Sequence, residues 1–202
     1  VILGAGFDSF ALRRPAFAEE VTIFEIDHPA TQSLKLGQIR ALNIAVPPDV
    51  HFIAADFTRE TLTEVLAPAG LDRRARVFFS WLGVTSYLTR EENIASLKAM
   101  AASAPGSLIA FSYLDQAIFA QRASADAPEG ETLSYSASIV ARFGEPFKSG
   151  FDPAELPGQL AELGLELVED LNGPGLAQRY GRVGAKALPT ASKSRFALAR
   201  VR

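Results

Sequence analysis

A glycine-rich turn is the first candidate for chemistry in this chain. Gly4-Ala5-Gly6 comes directly after the apolar run Val1–Leu3, and glycine at such a turn lets the backbone bend sharply and approach a ligand closely. The residue three positions after Gly6 is Ser9, so the three-glycine fingerprint of dinucleotide sites is incomplete. A carboxylate at Asp8 disfavours a pyrophosphate beside the turn and suits a ligand with an ammonium or sulfonium group. The other interpretation is an ordinary turn after a strand.

An acidic residue ends the second apolar run. Asp27 follows Val21–Ile26 and lies 23 positions after Gly4. An acidic residue about 20 positions beyond the first glycine is where the ribose of a bound cofactor is held. A carboxylate can accept both ribose hydroxyl hydrogens through its two oxygens. Glu25 shares the strand face, but Asp27 is nearer the carboxyl end and is favoured. Alternatively, Asp27 only caps a helix that opens at Pro29.

Two further runs end in residues that suit a ligand pocket. Asp56 and Phe57 follow Val50–Ala54, where an aspartate can accept a hydrogen bond from an adenine amino group and an aromatic ring can line the pocket. The alternative is a loop aspartate in a turn. Trp81, the only tryptophan, follows Arg76–Ser80 and either lines the pocket or packs in the core. Signals at the ends of three successive runs coincide only rarely by chance.

Short strand-like runs alternate with helix-like segments, which predicts a doubly wound parallel α/β sheet. Thr89 followed by Glu92 resembles a capping box at a helix start. Because 172–194 contains no helix-like segment, the last strand is predicted to pair antiparallel. The predicted strands are Val1–Leu3, Val21–Ile26, Val50–Ala54, Arg76–Ser80, Ser107–Tyr113, Leu165–Glu169 and Phe196–Val201, and the predicted helices are Pro29–Leu42, Glu60–Leu66, Arg90–Ala102 and Pro153–Leu163.

Composition narrows the class of protein. The 202 residues suit one domain, 1–202, with 48% hydrophobic and 21% charged residues. The net charge of −3 gives no basic surface for nucleic acid, and no apolar run reaches the roughly 20 residues of a membrane helix. The absence of cysteine excludes disulfides and thiolate chemistry, and two histidines are too few for a histidine-based zinc site, so no metal is predicted. We expect a cytoplasmic protein with no nucleic-acid or membrane partner; the oligomeric state stays open.

Residues 1–115 resemble the leucine carboxyl methyltransferase family. The resemblance rests on the segments VILGAGFDSFALR, FEIDHP, AADF, SWLGVTSYLT and SLIAFSYLD. It implies a Rossmann-like class I methyltransferase sheet in the order 3-2-1-4-5-7-6, with the last strand antiparallel. It also implies S-adenosyl-L-methionine as cofactor, at the carboxyl edge of the sheet.

The resemblance also implies roles for individual residues. Gly4 and Gly6 are expected against the methionine part of the cofactor, Asp27 at the ribose, and Asp56 and Phe57 at the adenine. The complete predicted cofactor-binding set is Gly4, Ala5, Gly6, Asp8, Asp27, Asp56, Phe57 and Trp81.

The chain departs from the family at one site position. Many relatives have a glutamate in the motif after strand four, where this chain has Leu82. Relatives also carry a largely helical region before the first strand, and the start at Val1 leads us to expect that such a region is missing here. Segment 115–150, with helical pieces expected at 116–126 and 134–143, is the predicted substrate lid.

The function implied is methyl transfer from S-adenosylmethionine to an oxygen nucleophile of an unknown acceptor, a small molecule or a protein. A carboxylate acceptor is already ionised near pH 7 and needs no general base, so no catalytic acid or base is named. Two alternatives stay open. One is a non-catalytic relative that binds the cofactor, and the other is an NAD(P)-dependent oxidoreductase, against which Asp8 and Ser9 argue.

Overall fold

The computed structural model describes residues 1–57, 59–72, 74–117, 147–180 and 194–202. Within them, seven strands form one sheet in the order β3-β2-β1-β4-β5-β7-β6. The first five strands are parallel to one another, and β7 lies antiparallel between β5 and β6. The predicted fold class, strand order and antiparallel last strand are therefore confirmed. The strands are β1 (Ile2–Leu3), β2 (Ile23–Asp27), β3 (Val50–Ala54), β4 (Phe78–Trp81), β5 (Leu108–Leu114), β6 (Leu165–Leu171) and β7 (Ser194–Val201).

Helices cover both faces of the sheet. One face, with Leu3, Ile26 and Phe111 as members, forms the main core with α3, α4 and α5. On the opposite face, Ile23 and Val50 pack against α1, and α2 contacts the same side. The helices are α1 (Phe10–Arg13), α2 (Pro29–Ala41), α3 (Leu62–Leu66), α4 (Arg90–Ala101), α5 (Leu156–Glu162) and α6 (Gly173–Tyr180), with 3₁₀ turns at Ala16–Ala18 and Thr85–Tyr87.

Helix starts follow local side-chain chemistry. Thr89 and Glu92 form the predicted capping box at α4, with the Glu92 amide donating to the Thr89 hydroxyl at 3.2 Å. A second capping box, Thr61 with Glu64, opens α3 and was not predicted. Both boxes satisfy backbone N–H groups that a helix start leaves without intrahelical partners.

Two helices contradict the sequence expectations. The prediction of an irregular 172–194 segment is wrong over Gly173–Tyr180, which is helical. The Asn172 side chain accepts from the Gly175 amide at 2.9 Å, as an N-cap does, so the Gly-Pro-Gly run begins a helix instead of a loop. The four-residue helix α1 was also not predicted, being too short for a periodic pattern.

The predicted lid falls mostly outside the described residues. Of segment 115–150, the structure describes 115–117 and 147–150, so the helical pieces expected at 116–126 and 134–143 are not tested. Among the described helices, none has the length and apolar character needed to cross a bilayer.

Candidate active site

The candidate site lies where the sheet order reverses direction. β1 is flanked by β2 on one side and β4 on the other, and all three run parallel. Their carboxyl ends therefore meet at one edge, and the chain leaves β1 and β4 toward opposite sides of the sheet. Ligands of open α/β sheets bind in the crevice at such a topological switch point. Gly4 follows β1 and Leu82 follows β4, so the glycine turn lies at this crevice.

The glycine turn needs glycine at both predicted positions. Gly4 and Gly6 have φ values of +64° and +50°, in the left-handed region that disfavours other side chains. A Cβ at Gly4 would lie 2.3 Å from Val84 Cγ2, because the segment after β4 packs directly on the turn. A Cβ at Gly6 would meet no atom within 4 Å. Gly4 therefore serves close packing, and Gly6 borders open space at the crevice.

Asp27 connects the second strand to the glycine turn. One carboxylate oxygen, Oδ2, accepts the Gly6 amide, and Oδ1 accepts the His28 amide at 2.6 Å. The N-cap of α2 is His28, whose Nδ1 accepts from the Ala30 amide at 3.3 Å. The alternative that Asp27 merely caps this helix is thus wrong. Each carboxylate oxygen has a further lone pair, so the half-buried group retains acceptor capacity toward the crevice.

The far end of the turn is bonded by a lysine that the sequence analysis missed. Lys35 Nζ donates to the Asp8 carbonyl oxygen at 2.6 Å and to Glu25 Oε2 at 2.5 Å. Lys35 and Glu25 are 4% and 1% exposed, so this ion pair is buried. Burial raises the pKa of Glu25 above its usual range, and the hydrogen bond from Lys35 opposes that shift. The position of Lys35 on the buried stripe of α2, with Gln32 and Ile39, was the available signal.

The Asp8 side chain is exposed and forms a hydrogen bond within its own loop. Its Oδ1 accepts the Phe10 amide at 2.6 Å, which supports the start of α1. The carboxylate also lies on the loop that borders the crevice, together with the half-buried Asp27. The edge therefore has acidic groups, and the prediction that they suit a ligand with a positive centre stays a prediction.

Asp56 and Phe57 follow β3 at the same edge of the sheet. The Asp56 amide donates to Glu60 Oε2 at 3.0 Å, and the Arg59 Nε lies 3.5 Å from Asp56 Oδ2. Phe57 is partly buried against the main core. These contacts fix the loop beyond β3, which is two strands from the glycine turn in the sheet order.

Trp81 lies in the core and not at the crevice. Its side chain is 1% exposed and its ring contacts Phe111 with centroids 6.2 Å apart. Of the two places left open by the sequence, the structure shows the core, because Trp81 shares the strand face that packs against α4. The next residue, Leu82, is 47% exposed at this edge.

Another polar cluster joins the last three strands. The Tyr113 hydroxyl donates to Asp170 Oδ2 at 2.8 Å, and Arg195 Nε donates to the Tyr113 oxygen at 3.0 Å. Burial and the Asp170 carboxylate raise the pKa of Tyr113 above its usual value. The cluster ties β5, β6 and β7 together, and we assign it a structural role.

A cavity of about 960 Å³ lies elsewhere, at the amino ends of β1, β2 and β4. Ile2, Phe17 and Phe78 are among its lining residues, and so is Asp8, whereas Gly4, Gly6, Asp27 and Asp56 are not. The candidate site is therefore identified by the glycine turn and the acidic side chains at the crevice, and not by the size of this apolar cavity. In the described parts of the chain, no group of three or more His, Asp or Glu side chains is arranged to bind a metal ion.

Solved structures share this fold. A duf574 family protein from Streptomyces avermitilis superposes with a TM-score of 0.68 and 18% identity, covering all of this chain and 74% of that protein. The magnesium protoporphyrin IX methyltransferase from Synechocystis PCC 6803, solved with bound S-adenosylhomocysteine, gives a TM-score of 0.53 at 15% identity, over all of this chain and 73% of its own. The architecture is that of class I methyltransferases.

Sequence comparison is more specific. The family model of leucine carboxyl methyltransferase matches residues 1–101, half of the chain. YktD of Bacillus subtilis (strain 168), a predicted S-adenosyl-L-methionine-dependent methyltransferase, is 36% identical over 173 residues, which are 85% of this chain and 55% of that protein. The chain thus spans about half the length of this curated relative. This chain belongs to the leucine carboxyl methyltransferase family.

Proposed function

We propose that this chain binds S-adenosyl-L-methionine at the crevice between β1 and β4 and contributes to the transfer of its methyl group to an oxygen nucleophile. The observation that carries the proposal is the bond between the Gly6 amide and the Asp27 carboxylate. It brings the two strongest motifs of the sequence together at the topological switch point, in a chain that belongs to this family.

The residues at the crevice fit the chemistry of this cofactor. The turn at Gly4, Ala5 and Gly6 supports a close approach of the methionine part, since no atom lies within 4 Å of a Cβ position at Gly6. The free lone pairs of Asp27 suit the two ribose hydroxyls. The exposed Asp8 carboxylate favours a ligand with positive ammonium and sulfonium groups over one with a pyrophosphate.

The loop after β3 supports the remaining part of the ligand. Asp56 is a candidate acceptor for the adenine amino group, and Phe57 supplies an apolar surface beside it. Trp81 is left out of the proposed contact set because its side chain is buried in the core. The proposed set is therefore Gly4, Ala5, Gly6, Asp8, Asp27, Asp56 and Phe57.

The bound cofactor supplies an electrophilic methyl group on a positively charged sulfur, which leaves as a neutral thioether. The chain's own contribution is alignment of the acceptor with that methyl group and exclusion of water. A carboxylate acceptor is ionised near pH 7, so no side chain has to remove a proton.

One observation favours a second candidate, a relative that binds the cofactor without transferring its methyl group. Leu82 is 47% exposed, at the position where the family resemblance leads us to expect a glutamate. An apolar side chain there cannot accept a hydrogen bond from a ligand. The two candidates agree on cofactor binding and differ on turnover.

Binding is tested by titration calorimetry of the chain with S-adenosylhomocysteine, and with NADH in parallel. We expect binding of the first ligand and none of the second. Binding of NADH without binding of S-adenosylhomocysteine would support the oxidoreductase alternative. Binding of neither ligand would refute the proposal. Asp72→Ala, an exposed carboxylate in the loop before β4, is the matched control and should bind as the unchanged chain does.

Turnover is tested with S-adenosylmethionine labelled in the methyl group and a panel of carboxylic acids and hydroxyl compounds. Alkali releases volatile methanol from a methyl ester and leaves a methyl ether intact, so the treatment separates the two acceptor classes. Label that becomes volatile supports the carboxylate acceptor. Binding with no transfer to any compound supports the second candidate.

A further inference from the structure

Lys35 occupies an unusual place for an ion. Its Nζ lies between α2 and β2, 6.0 Å from the centre of the Phe52 ring, with the residue 4% exposed. Transfer of an ammonium group from water to such a place is costly unless its charge and its donors are satisfied. Glu25 Oε2 supplies the opposite charge, and the Asp8 carbonyl oxygen accepts a second hydrogen bond from the Lys35 ammonium group.

The second acceptor joins this ion pair to the ligand site. The loop Gly4–Asp8 follows β1 and is bonded to β2 through its backbone, since the Gly4 and Ala5 amides donate to the Ile26 carbonyl oxygen at 2.8 and 3.2 Å. Two side chains bond it further along, Asp27 at Gly6 and Lys35 at Asp8. Within the loop, the Asp8 amide donates to the Ala5 carbonyl oxygen at 2.8 Å. Lys35 therefore supplies the bond at the end of this turn, beyond the contacts with β2 at Gly4, Ala5 and Gly6.

A purely structural ion pair would not need the loop. Glu25 and Lys35 could neutralise each other across the interface of α2 and β2 without any bond from Lys35 to the loop. The bond at 2.6 Å from a charged donor to a backbone oxygen constrains the part of the chain whose left-handed backbone opens the crevice. Bonds from charged donors are stronger than those between neutral groups.

We propose that Lys35 is a positioning residue for the cofactor: together with Glu25 it forms a loop clamp that keeps Gly4–Asp8 in the conformation that binds the ligand. The inference rests on the proposed function for its ligand, S-adenosylmethionine. Lys35 itself is buried and does not touch the cofactor. Glu25 accepts one hydrogen bond from the lysine and holds its side chain near the Asp8 carbonyl oxygen.

The test separates positioning from stability with two variants. Lys35→Met removes the clamp and leaves the Glu25 carboxyl buried without its partner, so both stability and affinity should fall. The double variant Glu25→Leu/Lys35→Met removes both charges, and replacement of a buried ion pair by apolar residues is often neutral or stabilising. We expect the double variant to unfold at a denaturant midpoint close to that of the unchanged chain.

The positioning role predicts that affinity does not recover with stability. In the double variant, the Kd for S-adenosylhomocysteine should stay raised by about tenfold or more, the effect of one lost bond from a charged group. A Kd within twofold of the unchanged chain, in a stable double variant, would overturn the inference. If the double variant is unstable, the comparison is made with Lys35→Gln, which retains a hydrogen-bond donor and should recover part of the affinity lost in Lys35→Met. Equal affinity of Lys35→Gln and Lys35→Met for S-adenosylhomocysteine would also overturn the inference.

A second readout needs no ligand. Amide hydrogen exchange at Gly6, Asp8 and Phe10 should become about tenfold faster in the double variant, because these amides lie in or beside the clamped loop. The Ile109 amide in β5 is the internal control and should not change. Unchanged exchange in the loop would show that Lys35 does not order it. If the unchanged chain fails to bind S-adenosylhomocysteine, the proposed function fails, and the exchange result still decides the clamp.

Discussion

Replacement of Asp27 by alanine tests the centre of the proposed site. In the structure, the carboxylate accepts two backbone amides, from Gly6 in the turn and from His28 at the start of α2. Both bonds are lost in Asp27→Ala. The Gly6 amide is partly buried and the His28 amide is at an exposed position, so water replaces the second bond more easily than the first.

The magnitudes follow from these two environments. A hydrogen bond to a charged group is worth about 1.5–3 kcal/mol. We expect the free energy of unfolding to fall by about that amount, for the Gly6 bond alone, since the other amide becomes hydrated. The ribose loses its charged acceptor as well, which corresponds to a rise of about 10- to 150-fold in the Kd for S-adenosylmethionine.

The assay pairs calorimetry with denaturant unfolding on three variants. Asp27→Ala should show both losses, and Asp27→Asn, which retains size and one acceptor, should lose less stability but still bind weakly. Asp72→Ala should change neither quantity measurably, because its carboxylate is 55% exposed and lies in the loop before β4. A folded Asp27→Ala protein with a Kd within twofold of the unchanged chain would refute the assignment of Asp27 to the ribose.

Three further predictions concern the fold around the site. Gly4→Ala should lower the free energy of unfolding by about 2–4 kcal/mol, because its Cβ would lie 2.3 Å from Val84 Cγ2 on a left-handed backbone; denaturant titration measures this. Gly158→Ala in helix α5 should instead raise the free energy of unfolding by about 0.5–1 kcal/mol, because no atom lies within 4 Å of the new Cβ. A lower free energy of unfolding would contradict the described packing. The hydrogen bond from Arg14 lowers the pKa of Asp49, so this carboxylate adds stability above its unfolded pKa and loses it as pH falls through the lower folded pKa. Unfolding at pH 7 and pH 3 should therefore show that Asp49→Asn costs stability at pH 7 and that the variant loses less stability on acidification than the unchanged chain.

The fold was predictable to a large extent because its signals are local. The five parallel strands form short apolar runs in the sequence, and β3 matches its predicted bounds of Val50–Ala54. The capping box at Thr89 needs only residues three positions apart. The antiparallel last strand was predicted correctly although the reason was incomplete, since the helix Gly173–Tyr180 lies in the connection that was expected to be irregular.

Sequence alone determined which residues gather at the crevice. Parallel strands place their carboxyl ends at one edge, so acidic residues and glycines that end successive runs must lie near one another once the strand order is given. Gly4, Gly6, Asp27 and Asp56 were located in this way, from strand ends and spacing without any contact being known.

Tertiary structure alone decided what these residues touch. Asp27 bonds to Gly6 across 21 positions, and Lys35 bonds to Asp8 across 27, at separations where no periodic pattern links the partners. The burial of Trp81 likewise depends on which strand face α4 covers, and not on its place after an apolar run. Spacing along the chain specifies the edge of the sheet, whereas bonds and burial depend on how helices on the two faces pack against it.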